Sequence, residues 1–171
     1  MYAVGTSILC GQIGVCRVES IGEPPFPEDK GRSYYKLSAV FSSSNELIYI
    51  PVDAASSMRP LVDGQDASGY LDLLPRLEPQ VCHAKRPADL TAHYQEKLAS
   101  CGLRDCLLLL KEICCKQAEL ASRGKKLGQV DARYLKIAER LVCEELGAAL
   151  HVAPNQMKER LYEAMACNTA S

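Results

Sequence analysis

The sequence predicts an α+β protein of two domains, a small antiparallel β-sheet or open barrel followed by a compact all-α helical bundle. Two hydrophobic periodicities meet near Gln80, with short β-rich runs before it and helical spacing after it. Three prolines, at 75, 79 and 87, favour a boundary in the same region. The 171 residues, 47% of them hydrophobic, suffice for two small cores. We expect a β-domain at 1–62, a connector with a short helix at 63–86 and a helical domain at 87–168.

Four short β-rich runs occupy the N-terminal part, and turn-forming residues separate them. Gly11 and Gly14, then a proline-rich segment at 22–27, then the polar residues 42–45 supply the turns. Alternation of polar and apolar residues is only partial, which favours a strongly curved sheet or open barrel over a flat sheet. The open edge of so small a sheet is either guarded or used by a partner that adds a strand. The predicted strands are Ser7 to Cys10, Val15 to Ile21, Tyr34 to Phe41 and Leu47 to Val52.

Helical spacing of apolar residues begins at Gln65 and predicts a short connector helix that is interrupted at Pro75. Four further helical stretches follow it. The second and third each carry one broad apolar face, and the last opens at Pro154, an accepted residue for the first helical position. These stretches run from Asp89 to Ser100, from Leu103 to Ser122, from Asp131 to Leu150 and onward from Pro154.

Charge and cysteine content limit the class of protein. No basic start with a long apolar run precedes the β-rich part, and no run of about 18 apolar residues occurs, so we expect a cytoplasmic protein. The nine cysteines should then be reduced thiols. The absence of a CxxC pair argues against zinc. A cut after Gln80 leaves 6 basic and 10 acidic residues before it and 14 and 11 after it, so the helical part is the basic one.

The densest basic cluster contains Lys125 and Lys126, between the two longest predicted helices. Lysines and backbone amides there could hold phosphates, although a solvated turn explains the same residues. The surrounding GKKLG is not a P-loop, because the spaced first glycine and the Ser or Thr are missing. No nucleophile with a base and no paired catalytic carboxylates stand out, so we expect neither an enzyme nor a cofactor.

Segments in both halves stand in the order and spacing of the CarD-like transcription regulators (CarD/CdnL/TRCF), whose N-terminal domain also occurs in the transcription-repair coupling factor. The resemblance covers nearly the whole chain, and its specificity comes from the combination of segments. Those of the N-terminal half are Gly14-Val15-Cys16-Arg17-Val18, Tyr34-Tyr35-Lys36-Leu37, Ile48-Tyr49-Ile50-Pro51-Val52 and Met58-Arg59-Pro60-Leu61. Those of the C-terminal half are Gly124-Lys125-Lys126-Leu127, Asp131-Ala132-Arg133-Tyr134-Leu135 and Ala138-Glu139-Arg140-Leu141 with Glu144 and Glu145.

The resemblance implies a bacterial transcription regulator. Its Tudor-like β-domain would bind the β subunit of RNA polymerase through a strand edge, and its helical domain would contact promoter DNA at the upstream edge of the bubble. By position, Leu47, Tyr49, Pro51 and Arg59 would carry the polymerase contact. For Tyr49, packing over the small barrel is an equal alternative. The residues left to hold DNA phosphates are Lys85, Arg86, Lys125, Lys126 and Arg133.

One departure concerns tryptophan. Many family members place a tryptophan at the start of the first helix of the C-terminal domain, where it wedges into the minor groove and stabilises the open complex. This chain contains no tryptophan, and the corresponding place falls near Pro87. Two hypotheses follow: a polymerase-bound regulator that touches promoter DNA, and a polymerase-binding adapter whose helical domain recruits a protein. We expect no membrane and no small-molecule substrate as partners.

Overall fold

The computed structural model describes residues 1–166, in which a five-stranded antiparallel sheet precedes five α-helices. The predicted α+β class is therefore confirmed. The chain divides into two compact units, Met1–Leu61 and a second unit that begins at Val62. Cys167 and the expected end of the helical domain at residue 168 lie outside the described residues.

The sheet contains the four predicted strands and one more. Its spatial order is β4-β3-β2-β1-β5, and all neighbours are antiparallel. The additional strand β5 has three residues, too few to show alternation in the sequence, and it follows a run of 3₁₀ turns at Val52–Ser57. The strands are β1 Ser7–Cys10, β2 Gly14–Gly22, β3 Tyr34–Ala39, β4 Leu47–Pro51 and β5 Met58–Pro60.

One face of the sheet carries the core of the first unit. Cross-strand neighbours on that face are buried together, because residues that share a face repeat every second position along a strand. Ile48 and Ile50 on β4 pack against this core. The opposite face, here called the outer face, carries Tyr49 and its pairing partner Lys36. The buried core residues are Ile8, Cys10, Cys16, Val18, Tyr35, Leu37 and Met58.

The helices begin and end close to the predicted positions. Asp63 caps α1 by accepting a hydrogen bond from Asp66 N–H at 2.8 Å, and Pro87 and Pro154 occupy first positions of their helices, where no donor is needed. The helices are α1 Gly64–Leu73, α2 Pro87–Ala99, α3 Leu103–Ser122, α4 Gln129–Leu150 and α5 Pro154–Ala166.

The buried face of α3 differs in part from the predicted one. Ala118 is at a spacing that would place it on the predicted apolar face, yet it is exposed, whereas Glu112 and Lys116 are buried. Leu109 also lies inside. The spacing of apolar residues does not predict the burial of these two charged residues, because buried charges are rare unless they are paired. Both are paired here, Glu112 with His93 of α2 and Lys116 with Asp131 of α4.

Residues 63–86, which we expected to form a connector, contribute to the core of the second unit. Ala67 of α1 is fully buried, and Leu74 and Leu77 beyond it are buried as well. Lys111 of α3 donates from Nζ to the carbonyl oxygens of Leu74 and Pro75, both at 2.8 Å. This segment therefore packs on the helices that follow it in sequence.

The charge difference found with a cut at Gln80 disappears when the chain is divided at the boundary between the units. Residues 1–61 contain 5 basic and 6 acidic residues, and the second unit contains 15 of each. The acidic residues of segment 62–80 offset the basic residues that follow it. Any electrostatic attraction of the second unit for a polyanion must therefore come from the local arrangement of charges.

Candidate functional site

Strand β4 forms one edge of the sheet and has β3 as its only neighbour among the described residues. Just beyond β4, Val52 N–H donates to the carbonyl oxygen of Ser33 at 3.0 Å. Hydrogen-bonded and non-hydrogen-bonded pairs alternate along an antiparallel ladder. Ile48 and Ile50 therefore direct their backbone groups to β3, whereas Leu47, Tyr49 and Pro51 direct theirs away from it. We call these three outward-facing residues the β4 edge.

The position of Pro51 fits this pattern. Pro51 pairs with Tyr34 in the register. Proline has no N–H, and the sheet loses no hydrogen bond because the N–H of any other residue at this position would point away from β3. The β4 edge thus offers two N–H donors and three carbonyl acceptors to an incoming strand. The structure brings three of the four predicted polymerase-contacting residues together in this way.

The side chains of the β4 edge lie on the outer face of the sheet. Leu47 is 46% exposed. The Tyr49 ring is half-buried and packs edge-on against Phe26, with the ring centroids 5.3 Å apart. Phe26 follows two prolines in the loop after β2 and was not among the predicted site residues. Tyr49 thus packs on Phe26 of the loop after β2 and still presents part of its ring to solvent.

Arg59, the fourth predicted polymerase-contacting residue, lies on β5, at the opposite edge of the sheet. Its partner in the register is Leu9 of β1, and its guanidinium donates from Nη1 to the Pro60 carbonyl oxygen at 3.1 Å. The structure does not bring Arg59 to the β4 edge. One strand that adds to β4 would therefore leave Arg59 on the far side of the sheet.

The predicted DNA-contacting residues lie around the starts of α2 and α4, which we call the basic end of the second unit. Lys85 lines a cleft together with Gly128 and Gln129 at the start of α4. Arg86, next to it, pairs with Asp89 through hydrogen bonds of 2.8 and 3.2 Å, so part of its charge is already satisfied. The structure thereby brings Lys85 to the end of α4 that follows Lys125 and Lys126.

The loop that carries Lys125 and Lys126 has a defined backbone. Gly124 adopts φ +69°, the left-handed conformation that ends many helices. Gly124 N–H donates to the Ala121 carbonyl oxygen at 3.0 Å, and Lys125 N–H donates to that of Leu120 at 2.8 Å. These two bonds form a Schellman motif, which ends α3 and leaves both lysine side chains exposed.

Arg133, the last predicted DNA-contacting residue, lies on the second turn of α4 and is exposed. Its guanidinium carbon lies 5.2 Å from the centre of the buried Tyr134 ring, within the range of a cation–π contact. The basic end therefore combines one positioned arginine with exposed lysines that can reach a phosphate backbone.

A buried polar cluster beneath the basic end was not among the predicted site residues. Asp131 Oδ1 accepts hydrogen bonds from Tyr94 Oη at 2.6 Å and from Lys116 Nζ at 3.0 Å. Burial, followed by the bond to Asp131, raises the pKa of Tyr94 far above its usual range, so the hydroxyl stays protonated and donates. The spacing of Lys116, three residues after the buried Ile113, was the available signal for its burial.

A second buried carboxylate, Glu112 of α3, fixes the segment that carries Lys85. Its Oε1 accepts a hydrogen bond from Cys82 N–H at 3.0 Å and lies 2.8 Å from His93 Nε2. Lys97 Nζ is 3.8 Å from its other oxygen. Removing this carboxylate would cost residues 82–85 one of their contacts to α3, the hydrogen bond to Cys82 N–H, while His83 Nε2 would still lie 3.6 Å from Glu119 Oε2 of the same helix.

No protein-family model matches the sequence, and no curated protein matches it significantly. Within residues 1–166, no helix combines the length and apolarity needed to cross a membrane. The same residues contain no group of three or more His, Cys, Asp or Glu side chains arranged to hold a metal ion.

Proposed function

We propose that this chain is a cytoplasmic bacterial transcription regulator of the CarD-like type, without catalytic activity. In this proposal, residues 1–62 form a Tudor-like domain that binds the β subunit of RNA polymerase. The second unit, which begins at Val62, contacts promoter DNA and changes the stability of the open complex. The observation that carries the proposal is the β4 edge, whose outward backbone groups at Leu47, Tyr49 and Pro51 can accept a polymerase strand.

The distribution of exposed apolar side chains supports protein binding by the first unit. Within residues 1–166, every large apolar side chain with high exposure belongs to that unit, including Phe26 and Leu47. Partly exposed aromatic and aliphatic groups are the usual anchors of a protein interface. None of these highly exposed large apolar side chains lies in the described part of the second unit, residues 62–166.

The alternative is an adapter whose helical domain recruits a protein. The equal number of acidic and basic residues in the second unit and the absence of tryptophan favour this alternative. Against it, no large apolar side chain of the described second unit is highly exposed, so a protein would have to dock through polar contacts. Salt dependence separates the two candidates, because phosphate contacts weaken steeply as ionic strength rises.

Capture of purified RNA polymerase by the immobilised chain tests the strand-addition step. Tyr49→Pro removes an N–H that points away from β3, so the sheet should keep its ladder while an incoming strand loses a donor. We expect Tyr49→Pro to reduce capture at least tenfold, and Tyr49→Ala, which keeps the donor, to reduce it less.

Arg59→Ala, at the opposite edge, should leave polymerase capture unchanged. Thermal unfolding of each variant reports whether the sheet persists. Failure of the wild-type chain to capture polymerase would refute the proposed partner. Equal capture by the wild type and a folded Tyr49→Pro variant would exclude β4 as the contact.

A further inference from the structure

The basic end contains a cleft, and the phosphate contacts proposed for the basic residues do not explain it. The segment 84–90, Lys116 of α3 and the first residues of α4 surround it. Its volume of about 420 Å³ falls within the range, roughly 300 to 1,000 Å³, that is common for small-molecule sites. All of the residues around it belong to the second unit.

One wall of the cleft is apolar. Pro87 and Leu90 lie one turn apart on α2, so both present their side chains to the same side. Ala84 and Val130 complete the apolar lining. A flat, weakly polar group can pack against such a wall.

The floor of the cleft is polar and electrically balanced. Lys116 and Asp131 line it and pair with each other at 3.0 Å, so their charges largely cancel. Asp131 Oδ2 lies towards Gly128, where α4 begins. Gly128 makes no side-chain cap, and the first N–H groups of a helix have no partner within it. The floor therefore offers a carboxylate oxygen and backbone donors side by side.

The mouth of the cleft is cationic. Lys85 lines it, and Lys125 and Lys126 lie shortly before Gly128 in the chain. A ligand that reaches the floor would thus bring its attached negative charge to Lys85, and its further phosphates towards the loop that carries Lys125 and Lys126. A nucleotide has this combination, since a flat base with hydrogen-bonding edges is joined to a phosphate.

We propose that this cleft binds a single unpaired nucleobase of DNA, with the base against Pro87 and Leu90 and its polar edge at Asp131 and the start of α4. The inference rests on the proposed contact with promoter DNA and specifies which part of that DNA is recognised. A base that is already unpaired enters such a pocket at lower energetic cost than a paired one. The cleft therefore selects the melted over the duplex form.

An apolar side chain of a protein is the other conceivable occupant. Both the lysines at the mouth and the paired charges on the floor disfavour it, because it would cover polar groups without bonding to them. The nucleobase satisfies these groups and accounts for the lysines.

Fluorescence anisotropy with two labelled DNA probes tests the inference, one a fully paired duplex and the other the same duplex with a short mismatched bubble. We expect the wild type to bind the bubble probe on the order of tenfold more tightly, as ordinary base-packing energies imply. Ala84→Leu, which fills the cleft, should abolish this preference and retain duplex binding. Ala92→Leu, at an exposed position of α2, should retain both.

A second variant keeps the test decisive if Ala84→Leu does not fold. Gly128→Ser places a hydroxyl at the start of α4, where serine is a favoured cap, so the fold should be at least as stable while the cleft loses its free donors. We expect Gly128→Ser to lose the bubble preference as well. Equal binding of both probes by the wild type, or an unchanged preference in both cleft variants, would overturn the inference alone. Salt-insensitive or absent binding of both probes would overturn the proposed DNA contact too.

Discussion

At the scale of single residues, the second unit depends on buried charges whose partners come from other helices. Lys116 on α3, Asp131 on α4 and Tyr94 on α2 meet at one carboxylate oxygen. Each of these groups is desolvated, and each is compensated by a hydrogen bond, which is the condition under which buried charges are tolerated. The cluster thus links three helices through a single side chain.

Asp131→Asn should destabilise the protein strongly, because it leaves the Lys116 ammonium buried without an opposite charge. We expect the free energy of unfolding to fall by about 3 kcal/mol or more, as measured by urea denaturation. Glu159→Gln, at an exposed position of α5, removes one carboxylate charge and should change stability little. A loss of less than about 1 kcal/mol for Asp131→Asn would mean that the pair contributes as weakly as a surface pair.

The thiol of Cys143 should be unreactive in the folded protein. Burial raises its pKa to about 12, and nearby Glu139 adds to that shift. Only the thiolate is nucleophilic, and at pH 8 this group is almost entirely the neutral thiol. We expect iodoacetamide at pH 8 to alkylate the half-buried Cys115 well before Cys143, as peptide mass spectrometry can measure. In urea the two cysteines should react at similar rates, and fast labelling of folded Cys143 would contradict its burial.

At the scale of elements, the C-terminal end of α4 depends on a close approach of the backbone. His151 adopts the left-handed conformation at φ 55°, and Val152 N–H donates to the Gly147 carbonyl oxygen at 2.9 Å. The chain therefore turns back over Gly147. A Cβ at position 147 would lie 2.6 Å from the Val152 carbonyl oxygen, which is closer than real Cβ contacts allow.

Two Gly→Ala substitutions in helices should consequently have opposite effects on stability. Gly69 lies in α1, and apart from its chain neighbours and the helix's own backbone no atom comes within 4 Å of its Cβ position, so Gly69→Ala should stabilise the protein by about 0.5–1 kcal/mol through helix propensity. Gly147→Ala should destabilise it by about 1–3 kcal/mol despite the same propensity, because the backbone must move. Chemical denaturation of both variants measures the difference, and stabilisation by Gly147→Ala would show that the turn after α4 can shift at little cost.

At the scale of the whole molecule, acidic and basic residues are separated within the second unit. Asp63 and Asp66 at the start of α1 lie near the C-terminal part of α4, since Val62 N–H donates to Glu145 Oε1 at 3.2 Å and the Gly64 Cβ position is 3.4 Å from the Ala149 carbonyl oxygen. The basic end lies at the other end of α4, which spans 22 residues and so about 33 Å. The second unit therefore has equal numbers of acidic and basic residues, and these two acidic residues lie at the opposite end of α4 from the basic end.

Replacing both Lys125 and Lys126 by Glu should weaken promoter binding and leave polymerase capture intact. If both lysines contact phosphates, the slope of log K against log salt concentration should become shallower by about 2. Arg76→Glu with Arg160→Glu changes the net charge equally, at exposed positions away from the α3–α4 loop, and should alter the slope far less. Anisotropy titrations over a salt series measure both, and equal slopes for the two double variants would assign the effect to net charge alone.

The sequence by itself determined the elements of this protein. Apolar spacing placed α3 at its observed ends, because a helix reports its buried face through contacts three and four residues apart. Pro154 marked the start of α5, whereas α2 begins at Pro87, two residues before the predicted Asp89. The role of β4 as the contact strand came only from the resemblance to the CarD-like family, whereas the residues alone predicted an open sheet edge without naming the strand.

Only the tertiary structure decided which residues meet. In the structure, Arg59 lies at the opposite edge of the sheet from Tyr49, on a fifth strand that was not predicted. Helix α1 packs in the helical core, and Lys116 pairs with Asp131. The tertiary structure also fixed the register by which Leu47, Tyr49 and Pro51 face outward. The pattern within β4 restricts which face each side chain takes, because a shift of one position would turn every one of them to the other face. Which residues of β3 pair with β4, and which helices supply the partners of Lys116, depends on residues distant in sequence.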